Sequence, residues 1–307
     1  MAPERTNSGH ADYRPPPDDH PDTRPFLCIP YWTQPVAPAT TWDTGDVRPL
    51  PNAVVPYLCE SIKASQYSPG EELRVTVAVR NSGGGNSAAI ATVVVYWADP
   101  TTGFSTLNFF GATTVAVLPT RLTPDTTVTS ELAATIPATA PQHICLLAVV
   151  SHPQDRAGTA FDPAGDRHWA QHNLIAAAVA PGAPTLIPFK VANPFNTDAE
   201  IVLRVGPADR QRAEQVAHHL DRTAAETSAL LRLLDSAGKE IGEPGDTVVE
   251  VIPMPARGET DRQILVEVTS DLHAGTAVVI EALIDAYGAR QRGVNAGGLG
   301  MVLIPPD

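Results

Sequence analysis

Apolar and polar residues alternate through much of this chain. In ELRVTVAVRN, residues 72–81, Leu73, Val75, Val77 and Val79 alternate with Arg74, Thr76 and Arg80. A period of two places the two sets on opposite faces of a strand, one of them buried. AAIATVVVYWAD (88–99) is β-branched and aromatic, as suits a central strand. TLNFFGATTVAVLP (106–119) breaks at Gly111 and resumes, and TTVTSELAATIP (126–137) alternates again. HICLLAVVSH (143–152) is almost wholly apolar, a pattern for a strand between two sheets, and RHWAQHNLIAAAVA (167–180) closes the set. About seven strands in about 120 residues is the count of an immunoglobulin-like sandwich.

PGAP, residues 181–184, reads as a hinge. Six more strand-like runs follow: TLIPFKVANP, AEIVLRVGP, DTVVEVIPMP, RQILVEVTS, TAVVIEALID and GGLGMVLIPP. Between them, residues 208–236 are rich in Ala, Leu, Glu, Arg and Gln. Val216, Leu220, Thr223, Thr227, Leu230 and Leu234 recur there at spacings of three and four. That spacing predicts an amphipathic helix, or two with a break near Asp221.

The first 56 residues follow neither period. Residues 1–25 form a polar, Pro- and Asp-rich arm with too little apolar surface to order itself. FLCIPYWTQPV (26–36) is aromatic, and with the Pro-rich stretch to residue 56 it reads as an extended strap lying on the first domain or on a partner. The predicted architecture is therefore mainly β. It has two tandem immunoglobulin-like β-sandwich domains, 57–180 and 184–307, the second with a helical insertion at 208–236. A disordered acidic arm (1–25) and an aromatic strap (26–56) precede them.

Composition narrows the function classes. Thirty prolines and 22 glycines punctuate short apolar runs, as in an all-β chain with frequent turns. The net charge of −13 is spread along the chain with no basic block. Nucleic acid and anionic membrane are disfavoured, since phosphate contacts need clustered Lys and Arg. No apolar run reaches the length of about 18 residues that a membrane helix needs. The N-terminal stretch lacks the apolar core of a secretory signal, so the expectation is a chain that is cytoplasmic as synthesised, with export by a non-classical route left open. Cys28, Cys59 and Cys145 are too few and odd in number for a disulfide framework, though Cys28 and Cys59 flank the first domain and could meet.

YSPGEELRVTVAVRNSGGGNSAAIATVVVYW (67–97) runs Pro-Gly, strand, Asn-x-Gly, second long strand, and Asp166 through Asn173 supplies a closing Asp–Asn element. In this the segment 57–180 resembles the bacterial CARDB-type family of adhesion-like, immunoglobulin-class β-sandwich modules. The resemblance implies a β-sandwich that binds or spaces rather than catalyses. The absence of a signal sequence and of a repeat array departs from the family's usual surface setting.

FDPAGDRHWAQHNL (161–174) concentrates the polar chemistry. A metal site would recruit His152, Asp155, Asp162, Asp166, His168 and His172. On a strand, His168 and His172 share a face but lie about 13 Å apart, too far for one ion. Calcium would have Asp162 and Asp166 beside a glycine turn. Against this stands a structural reading, in which Asp166 caps the turn, Trp169 packs on the core and Asn173 ties the last strand to a neighbour. SGGGN (82–86) lacks the Lys-Ser/Thr of a phosphate loop and reads as a hairpin or bulge. Cys145 with His143 sits in an apolar run, where a thiol is inert. His218 and His219 point about 100° apart on a helix and form no joint site. No cofactor is called for.

The aromatic segments are the remaining candidates. Phe26, Tyr31 and Trp32 of the strap, with Trp97, Phe104 and Phe110 in and beside the loop of WADPTTGFSTLNFFG (97–111), are the expected partner-binding anchors, the alternative being that they fold over the core. The function this points to is a non-enzymatic structural or protein-interaction protein within a larger phage-tail-like or exported assembly. The alternative is a carbohydrate- or ligand-binding module, calcium-assisted through Asp162 and Asp166.

Overall fold

The computed structural model describes residues 23–33, 42–122, 125–180, 182–225, 229–269, 272–288 and 291–305. The arm 1–25 lies outside the described residues up to Asp22, and the strap between residues 34 and 41 does too. The protein is mainly β and forms two units. One holds residues 1–98 and 107–172, the other 99–106 and 173–307.

The first unit contains β1 (Leu27–Cys28), β2 (Ile62–Ala64), β3 (Glu72–Asn81), β4 (Ala89–Ala98), β5 (Asn108–Val117), β6 (Thr127–Val128), β7 (Leu132–Thr135), β8 (Cys145–Ser151) and β9 (Trp169–His172). β3 is the hub of one sheet, pairing antiparallel with β1, β2, β6 and β7. The other sheet runs β5-β4-β8-β9, all antiparallel. Alternation built these strands as expected. Leu73, Val75, Val77 and Val79 of β3 are buried, facing a core that includes Val93, Val95, Leu146, Ala148 and Val150 from the second sheet. This is an immunoglobulin-like β-sandwich.

The strap belongs to this core. Leu27, Ile29, Tyr31 and Trp32 are members of it, and β1 extends the β3 sheet by pairing Leu27 with Asn81 and Cys28 with Arg80. SGGGN finds its reason here. A Cβ on Gly83 would strike the backbone carbonyl of Arg24, so glycine lets the strap pass close over the hairpin. Cys28, Cys59 and Cys145 are free and buried.

The second unit contains β10 (Leu174–Ala178), β11 (Thr185–Ala192), β12 (Ala199–Pro207), α1 (Arg210–His219), β13 (Thr223–Ala224), β14 (Ala229–Asp235), β15 (Glu240–Gly245), β16 (Val248–Met254), β17 (Glu259–Val268), β18 (Thr276–Gly288) and β19 (Gln291–Ile304). One sheet runs β10-β19-β18-β12-β16 with β13 also on β18, the other β11-β17-β14-β15. The predicted last strand of the first domain, 167–180, thus divides. β9 serves the first unit and β10 the second, where it pairs parallel with β19.

The helical insertion is shorter than 208–236. Asp209 caps α1 by accepting the Arg212 N–H at 3.0 Å, and Arg212 reaches the buried Glu281 of β18 with two nitrogens. Val216 and Ala217 face inward. The helix stops where the sequence breaks, with Asp221 at a positive φ of 54°. Beyond it, residues 229–235 are strand rather than helix. In ALLRLLD the leucines fit either period, and Leu231 and Leu233 are buried alternately. β14 lies between β15 and β17, so both of its backbone edges find partners. Those long-range ladders override the helical spacing.

Candidate functional site

The stretch 152–172 assembles a closed charge cluster. His152 and Asp155 exchange backbone hydrogen bonds across a tight turn. Asp155 Oδ2 accepts the Leu27 N–H of the strap at 2.6 Å, and its Oδ1 accepts from Arg167 Nη2. Arg167 Nε donates to the Leu27 carbonyl at 3.1 Å, and its guanidinium sits 3.9 Å from the Phe26 ring centroid. Ile29 N–H donates in turn to the Arg167 carbonyl.

His168 stands at the centre, fully buried. Its Nδ1 lies 2.7 Å from Asp166 Oδ1 and its Nε2 3.1 Å from Asp155 Oδ1. Burial opposes its charged form, but hydrogen bonds to Asp155 and then Asp166 outweigh it and hold its pKa above the ordinary value. Asp155 and Asp166 are likewise penalised by burial, yet the hydrogen bond from His168 and its charge hold both carboxyls below theirs. Each ring nitrogen of His168 thus faces one carboxylate oxygen, an arrangement that favours its charged form.

Asp162 differs. It is buried and accepts the Gly165 N–H at 2.8 Å. Burial first, and the neighbouring charge of Asp166 after it, push its carboxyl up to about 7 against the Gly165 hydrogen bond. Asp166 spends its oxygens on the turn. Oδ1 accepts from His168 N and faces Nδ1, and Oδ2 accepts the Gly158 N–H at 2.7 Å. The capping role expected for Asp166 is what the geometry shows, and both members of the calcium pair, Asp162 and Asp166, are buried and already accept backbone N–H groups. Among the described residues, no group of three His, Cys, Asp or Glu is placed to hold a metal ion. Trp169 is buried, and Asn173 Nδ2 donates to the carbonyls of Thr101 and Gly298. His143 and His172 interact electrostatically, burial and then His172 pushing His143 down to about 4. Burial raises the Cys59 thiol to about 12 and the Cys28 thiol further, so neither is a nucleophile at neutral pH.

The aromatic anchors are not on the surface. Phe26, Tyr31, Trp32, Phe104 and Phe110 are buried, and Trp97 is half-buried against the first unit's core. The expected exposed anchors are therefore corrected to core residues, because a sandwich of this size closes its ends with the large side chains nearest in the chain. Tyr31 shows how completely it is absorbed. Its hydroxyl donates to the Pro56 carbonyl at 3.0 Å and accepts the Gln171 N–H at 3.2 Å. Phe104 sits in residues 99–106, which belong to the second unit. There Thr102 N–H donates to the Lys190 carbonyl and Lys190 N–H to the Pro100 carbonyl, laying the loop along β11.

Sequence reasoning places Phe109 beside the 97–111 loop but picks Trp97, Phe104 and Phe110 as the anchors; the structure exposes Phe109 instead, on the outward face of β4 and β5. Phe109 is 65% exposed and Ile90 59% exposed. Thr92, Ala112, Thr114 and Ala116 are exposed around them. Tyr96 lies edge-on to Phe109 at 6.3 Å between ring centroids and stacks toward Trp169 at 6.5 Å. β4, β5, β8 and β9 carry no Asp, Glu, Lys or Arg at all. The signal is present in the sequence, as a charge-free strand pair with apolar residues on both faces.

No family model matches the chain. No curated protein matches it either. Among solved structures, the collagen-binding domain of a Staphylococcus aureus adhesin aligns at 6% identity over 41% of this chain and 93% of that one, TM-score 0.23. The collagen adhesin of S. aureus aligns at 8% identity over 80% of this chain and 91% of that one, TM-score 0.25. The CupB6 tip adhesin of Pseudomonas aeruginosa aligns at 8% identity over 80% and 94%, TM-score 0.23. Scores of this size carry no argument; the sandwich assignment rests on the strand order above.

Proposed function

We propose that this chain is a non-enzymatic protein-interaction module that acts through the outward face of β4 and β5. The observation that carries the reading is Phe109 and Ile90, both more than half exposed on a strand pair without a charged residue. Isolated exposed apolar residues are ordinary, but a contiguous uncharged face on a chain of net charge −13 suits a protein partner. The charge cluster supports the same reading, since its groups are consumed by one another and by the strap. The likeness of residues 57–180 to CARDB-type modules agrees with a binding or spacing role. The setting proposed is a larger assembly, in the cytoplasm where the chain is made or exported by a non-classical route.

The test is a native pull-down of the full chain with mass spectrometry and particle sizing, beside an Ile90→Ser/Phe109→Ser variant. The wild type is expected to recover one defined protein partner or assembly that the variant loses. Recovery of nothing, or of the same partner by the variant, overturns the proposal.

A further inference from the structure

β5 is the terminal strand of its sheet and pairs only with β4. Among the described residues, no backbone hydrogen bond joins Asn108–Val117 to any other strand. The Val117 carbonyl at the end of β5 is taken by Asn81 Nδ2 at 3.3 Å; the open edge before it is a template for another strand, and natural sheets blunt such edges with Lys, Pro, inward charges or shortness. β5, NFFGATTVAV, carries no charge and no proline. Its one irregularity is a bulge where Val95/Tyr96 meets Gly111/Phe109.

The strand is also matched to itself. Paired antiparallel with a second copy about a two-fold at Thr113, it sets Ala112 opposite Thr114 and Gly111 opposite Val115. The exposed side chains that meet in the regular part of the strand, Ala112 and Thr114, are small and uncharged, and the pairing closes as an isologous dimer. Electrostatics choose the same site. Two chains of net charge −13 repel one another, and joining them at β5 places no formal charge opposite another in the ladder. Phe109 would then border the seam, with Ile90 one strand behind it on β4.

We infer that β5 is a self-association edge, through which two copies of this chain pair antiparallel into one continuous eight-stranded sheet. This rests on the interaction reading above and names a second copy as the partner. Pairing by strand addition takes affinity from the backbone ladder and register from the side chains.

The test uses the full chain in sedimentation over a wide concentration range. The wild type is expected to double its mass reversibly. Ala112→Lys/Thr114→Lys, both exposed positions, sets lysine opposite lysine in this register, and loss of the dimer with an unchanged melting temperature is expected. Thr113→Cys is expected to cross-link into a covalent dimer under mild oxidant, the three native thiols being buried; this decides the matter if the lysine variant folds poorly. A wild type that stays monomeric at every concentration overturns the inference. So does a dimer that the lysines leave intact or Thr113→Cys cannot trap. A monomer that still captures a different protein through Phe109 and Ile90 sinks the inference and leaves the function reading standing, whereas a monomer that captures nothing sinks both.

Discussion

The strap near residues 24–33 and the loop Asp99–Thr106 are both irregular, both aromatic and both built into a sandwich, yet they are held by different forces. The strap pairs its backbone with β3 and is gripped in addition by buried charged and polar side chains. Asp155 takes its Leu27 N–H, Arg167 takes its Leu27 carbonyl, and Asn81 Oδ1 accepts the Phe26 N–H at 3.0 Å. The loop is gripped by backbone, through the ladder to Lys190, by the buried ring of Phe104, and by the uncharged side chain of Asn173 on its Thr101 carbonyl, with Ser105 donating to Glu259 at 2.7 Å. Its charged contacts, Lys190 with Asp99 and Glu259, are substantially exposed and screened by water. A segment fastened by buried charges should respond to their removal and to pH. One fastened by backbone and a ring should respond to volume and sterics.

The largest effect is expected at the cluster. Asp155→Ala strands Arg167, His168 and the Leu27 N–H together, and breaking a buried ionic network costs about 3–5 kcal/mol. Denaturant unfolding should show that loss, and limited proteolysis should show cleavage near the strap before the rest of the chain. Phe104→Ala is expected to cost about 3 kcal/mol through the cavity it leaves, without exposing the strap to protease. If both variants open the same segment, the contrast is broken.

A smaller, shared effect is expected at two glycines. A Cβ at Gly103 would come 2.5 Å from the Ala192 carbonyl, and one at Gly83 would strike the Arg24 carbonyl. Gly103→Ala and Gly83→Ala should each cost about 1–3 kcal/mol, since neither neighbour is a flexible side chain. Thermal unfolding of the two variants side by side would show whether strap and loop share this requirement for close approach.

The smallest effect is a slope with pH near neutrality, and it should belong to the strap, since the loop's Glu259 is an exposed carboxylate held low by Ser105 and responds only in acid. Asp162 has a folded pKa of about 7 against an ordinary 3.8. Its stabilisation is complete below the ordinary value and is lost as pH rises through about 7. His168, also raised, contributes fully below 6.5 and loses its part as pH rises through its folded value. Asp155 and Asp166, held low, contribute above 3.8 and lose their part as pH falls through their folded values. Stability of the first unit should therefore peak on the acid side of neutrality. Asp162→Asn should flatten the decline between the ordinary 3.8 and about 7. Hydrogen exchange at Leu27 should follow the same profile, while exchange at Thr102 should not. An unchanged slope in Asp162→Asn removes this assignment.

Part of this organisation is legible in the amino-acid sequence. β3 can be read residue by residue, because its buried face is set by spacing along one strand. The capping role of Asp166 can be read as well, since an aspartate's turn contacts lie within a few residues of it. The strap is recognisable as too apolar for a free tail, though not which surface covers it. The helix expected over residues 229–235 is an error that the letters themselves allow, as LLRLL fits both periods.

Sequence alone determined the class of the fold, the alternating strands and the presence of a helix with a break near Asp221, all of which depend on neighbours within a turn or a strand. Tertiary structure decided that Asp155 meets Leu27 across 128 positions, that residues 99–106 serve the second unit, and that the expected anchors lie inside while Phe109 lies outside. The physical reason is that burial is a property of the assembled sheets. A local pattern says which residues can be buried together, and only the long-range pairing of strands says which face closes and which edge stays open.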